Sequence, residues 1–241
     1  MNLPIRAQDT AISKLGDTYE NVAGPALVAL LTLINPAFGA SAAAIGVLLS
    51  YGNSQRAKIK QEYLASQITK QLEQHKNSIH NLNENLHEAV VLAIQGVQSA
   101  VSTDKINRFA KIISGHIIHS SSWDETATAL RAIASLEDIH IQIISEASLH
   151  INTGNGQAKF YIETPNFPKP GMIDGRSTAP TLNILTLLTG RSHTEVEMFC
   201  MELMSKGLLH DNGQGSFDKG PVYTLTPAAF WLLQKIESME S

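Results

Sequence analysis

The residues that could do chemistry are few in this sequence, and they are scattered. His116 and His119 lie three positions apart, which on a helix places both imidazoles near one metal ion. A metal site needs further ligands, and the chain has no cysteine pair and no His-Glu motif beside them. We therefore expect no metal site.

Nucleophile and phosphate-binding motifs are also incomplete. Ser114 precedes Gly115, but no Gly-x-Ser-x-Gly elbow surrounds this pair. Cys200 falls on the apolar face of a predicted helix, which favours an inert thiol. Two glycine-rich turns lack the following helix and the Lys-Ser/Thr pair that a phosphate loop requires, Gly154-Asn155-Gly156 and Gly213-Gln214-Gly215. The sequence predicts no catalytic residue, no cofactor and no enzymatic activity.

Composition limits the partners of the chain. Its 241 residues carry a net charge of −4 with a pI near 6.1, so nothing global attracts nucleic acid or anionic lipid. Aromatic residues make up 6%, whereas Ala, Ile and Leu are abundant, which favours helices. The single cysteine excludes an internal disulfide and suits a reducing compartment.

Since the sequence predicts no catalytic or metal-binding residues, its most informative element is an uncharged segment. No residue between Glu20 and Arg56 carries a formal charge. Pro25 suits the first turn of a helix, whereas Asn35-Pro36 indicates a break, because proline disfavours helical geometry in the residue before it. Residues 22–52 therefore predict an apolar helix or a helical hairpin.

A membrane location is the first hypothesis for this segment. A surface helix normally shows a polar stripe, which this one lacks, and its Gly and Ala content suits close packing in lipid. Arg56, Lys58 and Lys60 follow where a cytoplasmic flank is expected. The alternative is a hairpin buried in a soluble oligomer. The predicted membrane residues are Pro25, Leu27, Leu31, Ile34, Pro36, Phe38, Ile45, Leu48 and Leu49.

A long amphipathic stretch follows the apolar segment. The absence of proline and glycine from most of it predicts one helix over about 54–94. Its apolar positions alternate between spacings of four and three, which is typical of a coiled-coil seam. We expect this seam to pair with a second copy of the chain, with His75 as a polar residue that specifies the partner. The seam residues are Ile68, Leu72, His75, Ile79, Leu82 and Leu86.

The remaining sequence predicts a helical bundle and a smaller domain. Capping residues and periodic apolar positions indicate short helices over about 102–149, and 151–178 is rich in proline and turn signals. Residues 179–241 predict two helices, a hairpin and a last helix that begins at Pro227. That order is typical of a winged helix.

The winged-helix pattern does not favour DNA. Its second helix would present Glu195, Glu197 and Glu202, whereas base edges and phosphates require Arg, Lys, Asn or Gln. Acidic residues also outnumber basic ones between 177 and 241. We expect this domain to contact protein rather than nucleic acid.

Four mostly apolar segments of the chain read INRFAKIISGHI, ALRAIASLEDIHIQII, MELMSKGLL and VYTLTPAAFWLLQ. Their arrangement over about 104–241 resembles the abortive-infection alpha (Abi-alpha) family of bacterial proteins. It implies a role in phage exclusion without a known enzymatic activity, so it assigns no catalytic residues.

The expected fold is mainly α. It contains a polar N-terminus (1–21), the apolar segment (22–52), a long coiled-coil-like helix with a helical bundle (54–150), a linker (151–178) and a winged-helix-like α+β domain (179–241). The leading hypothesis is a non-enzymatic effector or sensor of anti-phage defence. It would be a homo-oligomer, bound to lipid at the inner membrane, with a cytoplasmic C-terminal part.

Two alternatives begin from a water-soluble protein, and the alternative location is the cytoplasm. One is a soluble winged-helix transcriptional regulator, and the other is a pore-forming or lytic toxin component that sequesters its apolar hairpin. They differ in what they predict: salt-dependent binding to duplex DNA for the first, and triggered leakage of liposomes for the second.

Overall fold

A computed structural model shows a mainly helical chain with small two-stranded antiparallel sheets. It divides into two compact units, Met1–Leu136 with Lys235–Ser241 (unit 1) and Glu137–Gln234 (unit 2). The structure describes residues 23–34, 55–75, 85–119, 121–149, 151–154, 157–160, 171–173, 177–179, 182–211, 221 and 223–237.

Unit 1 is built from helices. They are α1 (Ala23–Ile34), α2 (Gln55–Gln74), α3 (Leu86–Ser99), α4 (Thr103–His119) and α5 (Trp123–Ala134). Helix α2 packs against α1 and α4, while α3 packs against α4 and α5. The core of the unit lies where α2, α3 and α4 meet, because their fully buried side chains include Leu64, Val90 and Phe109.

Serine side chains cap the first turns of α4 and α5. Ser102 accepts a hydrogen bond from the Lys105 backbone N–H at 3.1 Å, and Ser122 accepts one from the Glu125 N–H at 3.3 Å. Each hydroxyl thus satisfies a backbone donor that has no partner inside the first turn. Helix α4 buries its apolar face, which consists of Ile106, Phe109, Ile113 and Ile117.

A glycine sets the distance between α3 and α4. The Phe109 ring occupies the space where a Cβ atom of residue 96 would stand. A Cβ atom there would lie 2.7 Å from the ring Cε1. Any larger residue at 96 would overlap the ring. The helices therefore approach as closely as they do because position 96 lacks a side chain.

The prediction of one continuous helix over 54–94 is wrong. Helix α2 ends at Gln74, His75 lies in a turn, and a separate helix α3 begins at Leu86. Helices α2 and α3 also contact each other, which two ends of one straight helix cannot do. Each of the two helices buries its own apolar face in the core of unit 1.

Unit 2 combines helices with antiparallel hairpins. The helices are α6 (Asp138–Leu149), α7 (Leu182–Thr189), α8 (His193–Ser205) and α9 (Pro227–Glu237), of which the last three residues belong to unit 1. The strands are β1 (Ile151–Gly154), β2 (Gln157–Phe160), β3 (Gly171–Ile173), β4 (Ser177–Ala179), β5 (Leu209–Asp211) and β6 (Tyr223–Leu225). Pairs form between β1 and β2, β3 and β4, and β5 and β6.

Helix α8 has strong signals at both ends. Ser192 and Glu195 form a capping box, in which each residue bonds the other's backbone N–H. At the other end Gly207 adopts a positive φ of 69°, and the Leu208 N–H bonds the Leu203 carbonyl at 2.9 Å. This is a Schellman ending, which glycine favours. Ser192 and Gly207 therefore set the two ends of α8.

The division into units differs from the expected boundary at 151–178. Unit 2 begins at Glu137, so α6 belongs with the C-terminal unit. Helix α6 packs against α7 and α8 and lies beside β6, and its buried residues include Ile143 and Ile144. These contacts join α6 to the elements that follow it.

Candidate functional site

His116 is fully buried in unit 1 and has a lowered pKa. Its Nδ1 lies 2.8 Å from the Thr126 hydroxyl, which itself donates to the Ser122 carbonyl at 3.1 Å. One hydrogen bond therefore joins the His116 ring to the Thr126 hydroxyl. Burial is the main cause that lowers the pKa of His116. The imidazole is therefore neutral and ties α4 to α5.

His140 is fully buried in unit 2, and both of its ring nitrogens are engaged. Nδ1 accepts a hydrogen bond from the Glu137 N–H at 2.9 Å, so Nε2 carries the hydrogen and lies 3.0 Å from Glu202 Oε2. The ring also meets the Phe199 ring edge-on, with centroids 5.2 Å apart. No nitrogen remains to bind a metal or to accept a substrate proton, so His140 fastens α6 to α8.

The described residues hold no cluster of three or more His, Cys, Asp or Glu side chains that could bind a metal ion. The predicted pair does not converge either, because His116 is buried while His119 is exposed. The Cys200 thiol is fully buried, and desolvation raises its pKa to about 12. These groups give unit 1 and unit 2 packing and polar contacts, not reactive side chains.

The first candidate functional element is helix α1, the described part of the uncharged segment. Leu27 and Leu31, one turn apart, are buried at 1% exposure each, whereas Pro25 and Ala29 are exposed. Helix α1 packs along α2. An apolar helix of this kind has one covered face and one face open to other contacts.

Part of the predicted membrane segment lies outside the described residues, namely Pro36, Phe38, Ile45, Leu48 and Leu49. Ile34 ends α1, and its side chain is not among those described. Across the described portion of the chain, no helix combines the length and the apolar character needed to cross a membrane.

The basic flank of this segment has two different environments. Arg56 and Lys58 are exposed at the start of α2. Lys60 is buried at 6% exposure, and its Nζ donates to the Gln98 carbonyl at 2.9 Å near the end of α3. A cation near the last carbonyls of a helix is stabilised by the helix dipole. Lys60 therefore differs from the exposed flank residue that the sequence predicts, since it joins α2 to α3.

The predicted oligomer seam is covered within the chain at the positions that the structure describes. Ile68, Leu72 and Leu86 have 1%, 0% and 1% exposure, and His75 is half-buried. These residues are core positions of unit 1, so they do not form an exposed seam. Ile79 and Leu82 lie outside the described residues.

Gln61 is a polar residue in the buried face of α2. It stands four positions before Ala65 and seven before Ile68, so it lies on the same side of the helix as these apolar residues. Its exposure is 0%, and among the described residues neither its amide nitrogen nor its amide oxygen has a hydrogen-bond partner. Such unsatisfied groups are rare in cores, because each costs about 1–3 kcal/mol.

The second candidate functional element is the exposed face of α8. Met198 and Met201 are 64% and 58% exposed, which is unusual for large apolar side chains. On the opposite side of the helix Val196, Cys200 and Leu203 are fully buried. The helix is thus anchored by one apolar face and presents a second apolar face to solvent.

Sequence reasoning missed three of these features. The sequence shows Met198 and Met201 but does not show that they are exposed, because α8 is apolar on two sides and either side could be buried. The Gln61 position could have been noticed by extending the seam spacing backwards from Ile68. The His140–Glu202 contact joins residues far apart in the chain, and no local signal predicts it.

Neither a protein-family model nor a curated protein nor a solved structure matches this chain.

Proposed function

We propose that the protein is a non-enzymatic, membrane-active effector or sensor of bacterial defence. In this proposal helix α1 is held against α2 at rest, and segment 22–52 enters lipid on activation. The C-terminal part stays in the cytoplasm, and active molecules assemble as a homo-oligomer. The observation that carries the proposal is the docking of the uncharged helix α1 onto α2, whose buried face contains an unsatisfied glutamine. The link to phage exclusion comes from the resemblance to the Abi-alpha family.

The docking of α1 is supported by few described side chains. Burial of a leucine contributes about 1.5–3 kcal/mol, so Leu27 and Leu31 together contribute about 3–6 kcal/mol. No side chain of α1 carries a charge, so transfer of this helix into lipid would remove no ionised side chain from water. Transfer of α1 from α2 to another apolar environment would preserve the burial of both leucines.

We further propose that α1 covers Gln61, so that the burial of this residue reduces the net gain from docking. The amide nitrogen and the amide oxygen of Gln61, both without a partner among the described residues, together cost about 2–6 kcal/mol, which is similar in size to the contribution of the two leucines. Opening this face to water would hydrate the amide. A small energetic difference between closed and open states is what a triggered release of α1 requires.

A vesicle experiment tests the proposal with a single substitution. The full chain is mixed with phosphatidylethanolamine–phosphatidylglycerol vesicles that contain a trapped dye, and leakage is followed as temperature rises. Gln61→Leu replaces the unsatisfied amide by an apolar side chain of similar size, so it strengthens the closed state and leakage should begin at a higher temperature. Gln74→Leu makes the same change at an exposed position of α2 and should leave the onset unchanged.

The membrane role fails if the wild-type chain leaves vesicles intact up to its unfolding temperature and also does not float with them in a density gradient. The storage of α1 on α2 fails separately if leakage occurs but Gln61→Leu and Gln74→Leu behave alike. A deletion of residues 22–52 that still causes leakage would assign the activity to another part of the chain.

The proposed role of unit 2 is protein recognition. Its order α7, α8, β5, β6 and α9 supports the winged-helix-like arrangement expected from the sequence. The outward-facing positions of α8 carry Met198, Met201, Glu195 and Glu202, which provide neither donors for base edges nor charges for phosphates. No observation on the described residues favours a transcriptional regulator. We expect the chain not to shift duplex DNA in a gel at low salt.

A further inference from the structure

We propose that the outward face of α8 is a docking surface for a basic amphipathic helix of a partner protein. The surface consists of Met198 and Met201, flanked by Glu195 and Glu202 on one side and by Glu197 on the other. This inference rests on the protein-recognition role proposed for unit 2 and names the partner. It does not depend on the membrane activity proposed for segment 22–52.

The two methionines form one apolar stripe. They are three positions apart on α8, so their side chains emerge on the same side, with exposures of 64% and 58%. Isolated exposed apolar residues are common, but two adjacent large ones on a helix form a continuous patch. The flexible thioether side chain of methionine adapts to different apolar partners, which suits a recognition surface.

The orientation of this stripe is fixed by the rest of unit 2. Val196, Cys200 and Leu203 anchor the opposite side of α8 at 0% exposure. The capping box at Ser192 and the Schellman ending at Gly207 fix both ends of the helix. Because one face and both ends of α8 are already fixed, little conformational entropy is lost when a partner contacts its exposed face.

Acidic side chains border the stripe on both sides. At 100° per residue, Glu195 and Glu202 lie on one side of the methionines, while Glu197 lies on the other. The Glu195 carboxylate accepts from the Ser192 hydroxyl at 2.8 Å, and Glu202 is held by His140 at 3.0 Å. These two carboxylates are therefore held in defined positions beside the apolar stripe.

The cations already present leave this border acidic. Arg191 approaches Glu195 at 4.0 Å, and Lys206 approaches Glu202 at 3.6 Å, both in exposed or half-buried pairs. Such pairs contribute little, so a partner's cation can compete for the same carboxylates. Among the described residues, Glu197 has no ion-pair partner.

Charge complementarity selects the occupant. A second copy that used the same face would place glutamates against glutamates, which disfavours self-association through this surface. Nucleic acid phosphates would be repelled for the same reason. A helix with apolar residues at i, i+3, i+4 and i+7 and with Lys or Arg beside them matches both the methionine stripe and its acidic borders.

The experiment uses a synthetic helical peptide as the probe. An 18-residue amidated peptide carries leucines on one face, lysines on both flanks and a fluorophore, and a matched peptide carries glutamates in place of the lysines. Fluorescence anisotropy with the full chain should show binding of the lysine peptide, at least tenfold tighter than that of the glutamate peptide. Met198→Ser with Met201→Ser should weaken this binding at least tenfold.

Further variants separate the charge contribution from the apolar one. Glu197→Gln should weaken binding several-fold and reduce its dependence on salt. Val101→Ser, at a 50% exposed apolar position of unit 1, is the matched control and should leave binding unchanged. All of these positions are partly or largely exposed, so circular dichroism and the unfolding temperature should match the wild type.

Three results would overturn the inference. The lysine peptide could fail to bind, or it could bind equally well to the methionine double variant. Alternatively, sedimentation could reveal a dimer that the methionine double variant dissociates, which would make a second copy the occupant.

Discussion

Two glycines within helices should respond in opposite ways to the same substitution. Gly96 on α3 faces the fully buried Phe109, and a Cβ atom at this position would overlap the ring Cζ and lie 2.7 Å from Cε1. Gly115 on α4 is also buried, yet a Cβ atom there would meet nothing within 4 Å. Replacement of each glycine by alanine therefore isolates the effect of packing.

The magnitudes follow from two contributions. Alanine is preferred over glycine within a helix by about 1 kcal/mol, and this gain applies at both positions. At Gly115 the added methyl group contributes about 0.8 kcal/mol more by burial, so Gly115→Ala should stabilise unit 1 by about 1–2 kcal/mol. At Gly96 the ring must move inside a packed core, which costs about 1–3 kcal/mol and sometimes more. The propensity gain offsets part of this cost, so Gly96→Ala should destabilise unit 1 by up to about 2 kcal/mol.

Urea unfolding followed by far-UV circular dichroism measures both changes as shifts of the midpoint. Phe109→Leu, which removes the outer atoms of the ring, should cost stability alone but should relieve the overlap caused by Gly96→Ala. The double variant should therefore be more stable than the sum of the single effects indicates. The reasoning is refuted if both alanine variants shift the midpoint in the same direction, or if the effects of Gly96→Ala and Phe109→Leu are additive.

Two further predictions concern the buried histidines. The pKa of His116 is lowered from its ordinary value of 6.5 in the folded state, so above pH 6.5 the ring is neutral in both the folded and the unfolded state. As the pH falls below 6.5 the unfolded state binds the proton first, and the free energy of unfolding therefore declines until the pH passes the lowered pKa. His116→Gln should accordingly show a smaller decline in urea midpoint between about pH 7.5 and 5.5. His140→Ala removes two hydrogen bonds and the contact with Phe199 and should destabilise unit 2 by about 3 kcal/mol, whereas Glu202→Gln keeps an acceptor for Nε2 and should cost less than about 1 kcal/mol. Equal urea midpoints for these two variants would contradict the assigned role of His140.

Helix existence and helix ends could be predicted because they depend on residues close in sequence. Ser102, Ser122 and Ser192 each satisfy a backbone N–H within the next turn, and Gly207 ends α8 because it tolerates a positive φ. The periodic apolar face of α4 was equally predictable, since any partner must cover the same side of the helix.

The candidate site could be predicted only in part. The uncharged character of α1 is a property of the sequence, whereas its docking on α2 depends on how the chain returns between them. The same spacing that predicted an oligomer seam at Ile68 and Leu72 also fits a core helix, because both environments require one apolar face. Periodicity identifies the face to be covered and does not identify what covers it.

The sequence by itself determined the helical character, the caps, the scarcity of reactive groups and the uncharged segment, all of which follow from composition and short-range spacing. Only the tertiary structure decided that α2 and α3 are separate helices, that Gln61 is buried without partners, that Gly96 faces Phe109 and that His140 bonds Glu202. These features join residues distant in sequence or depend on which face of a helix is covered. Their energies arise from packing and desolvation, which exist only after the chain has folded.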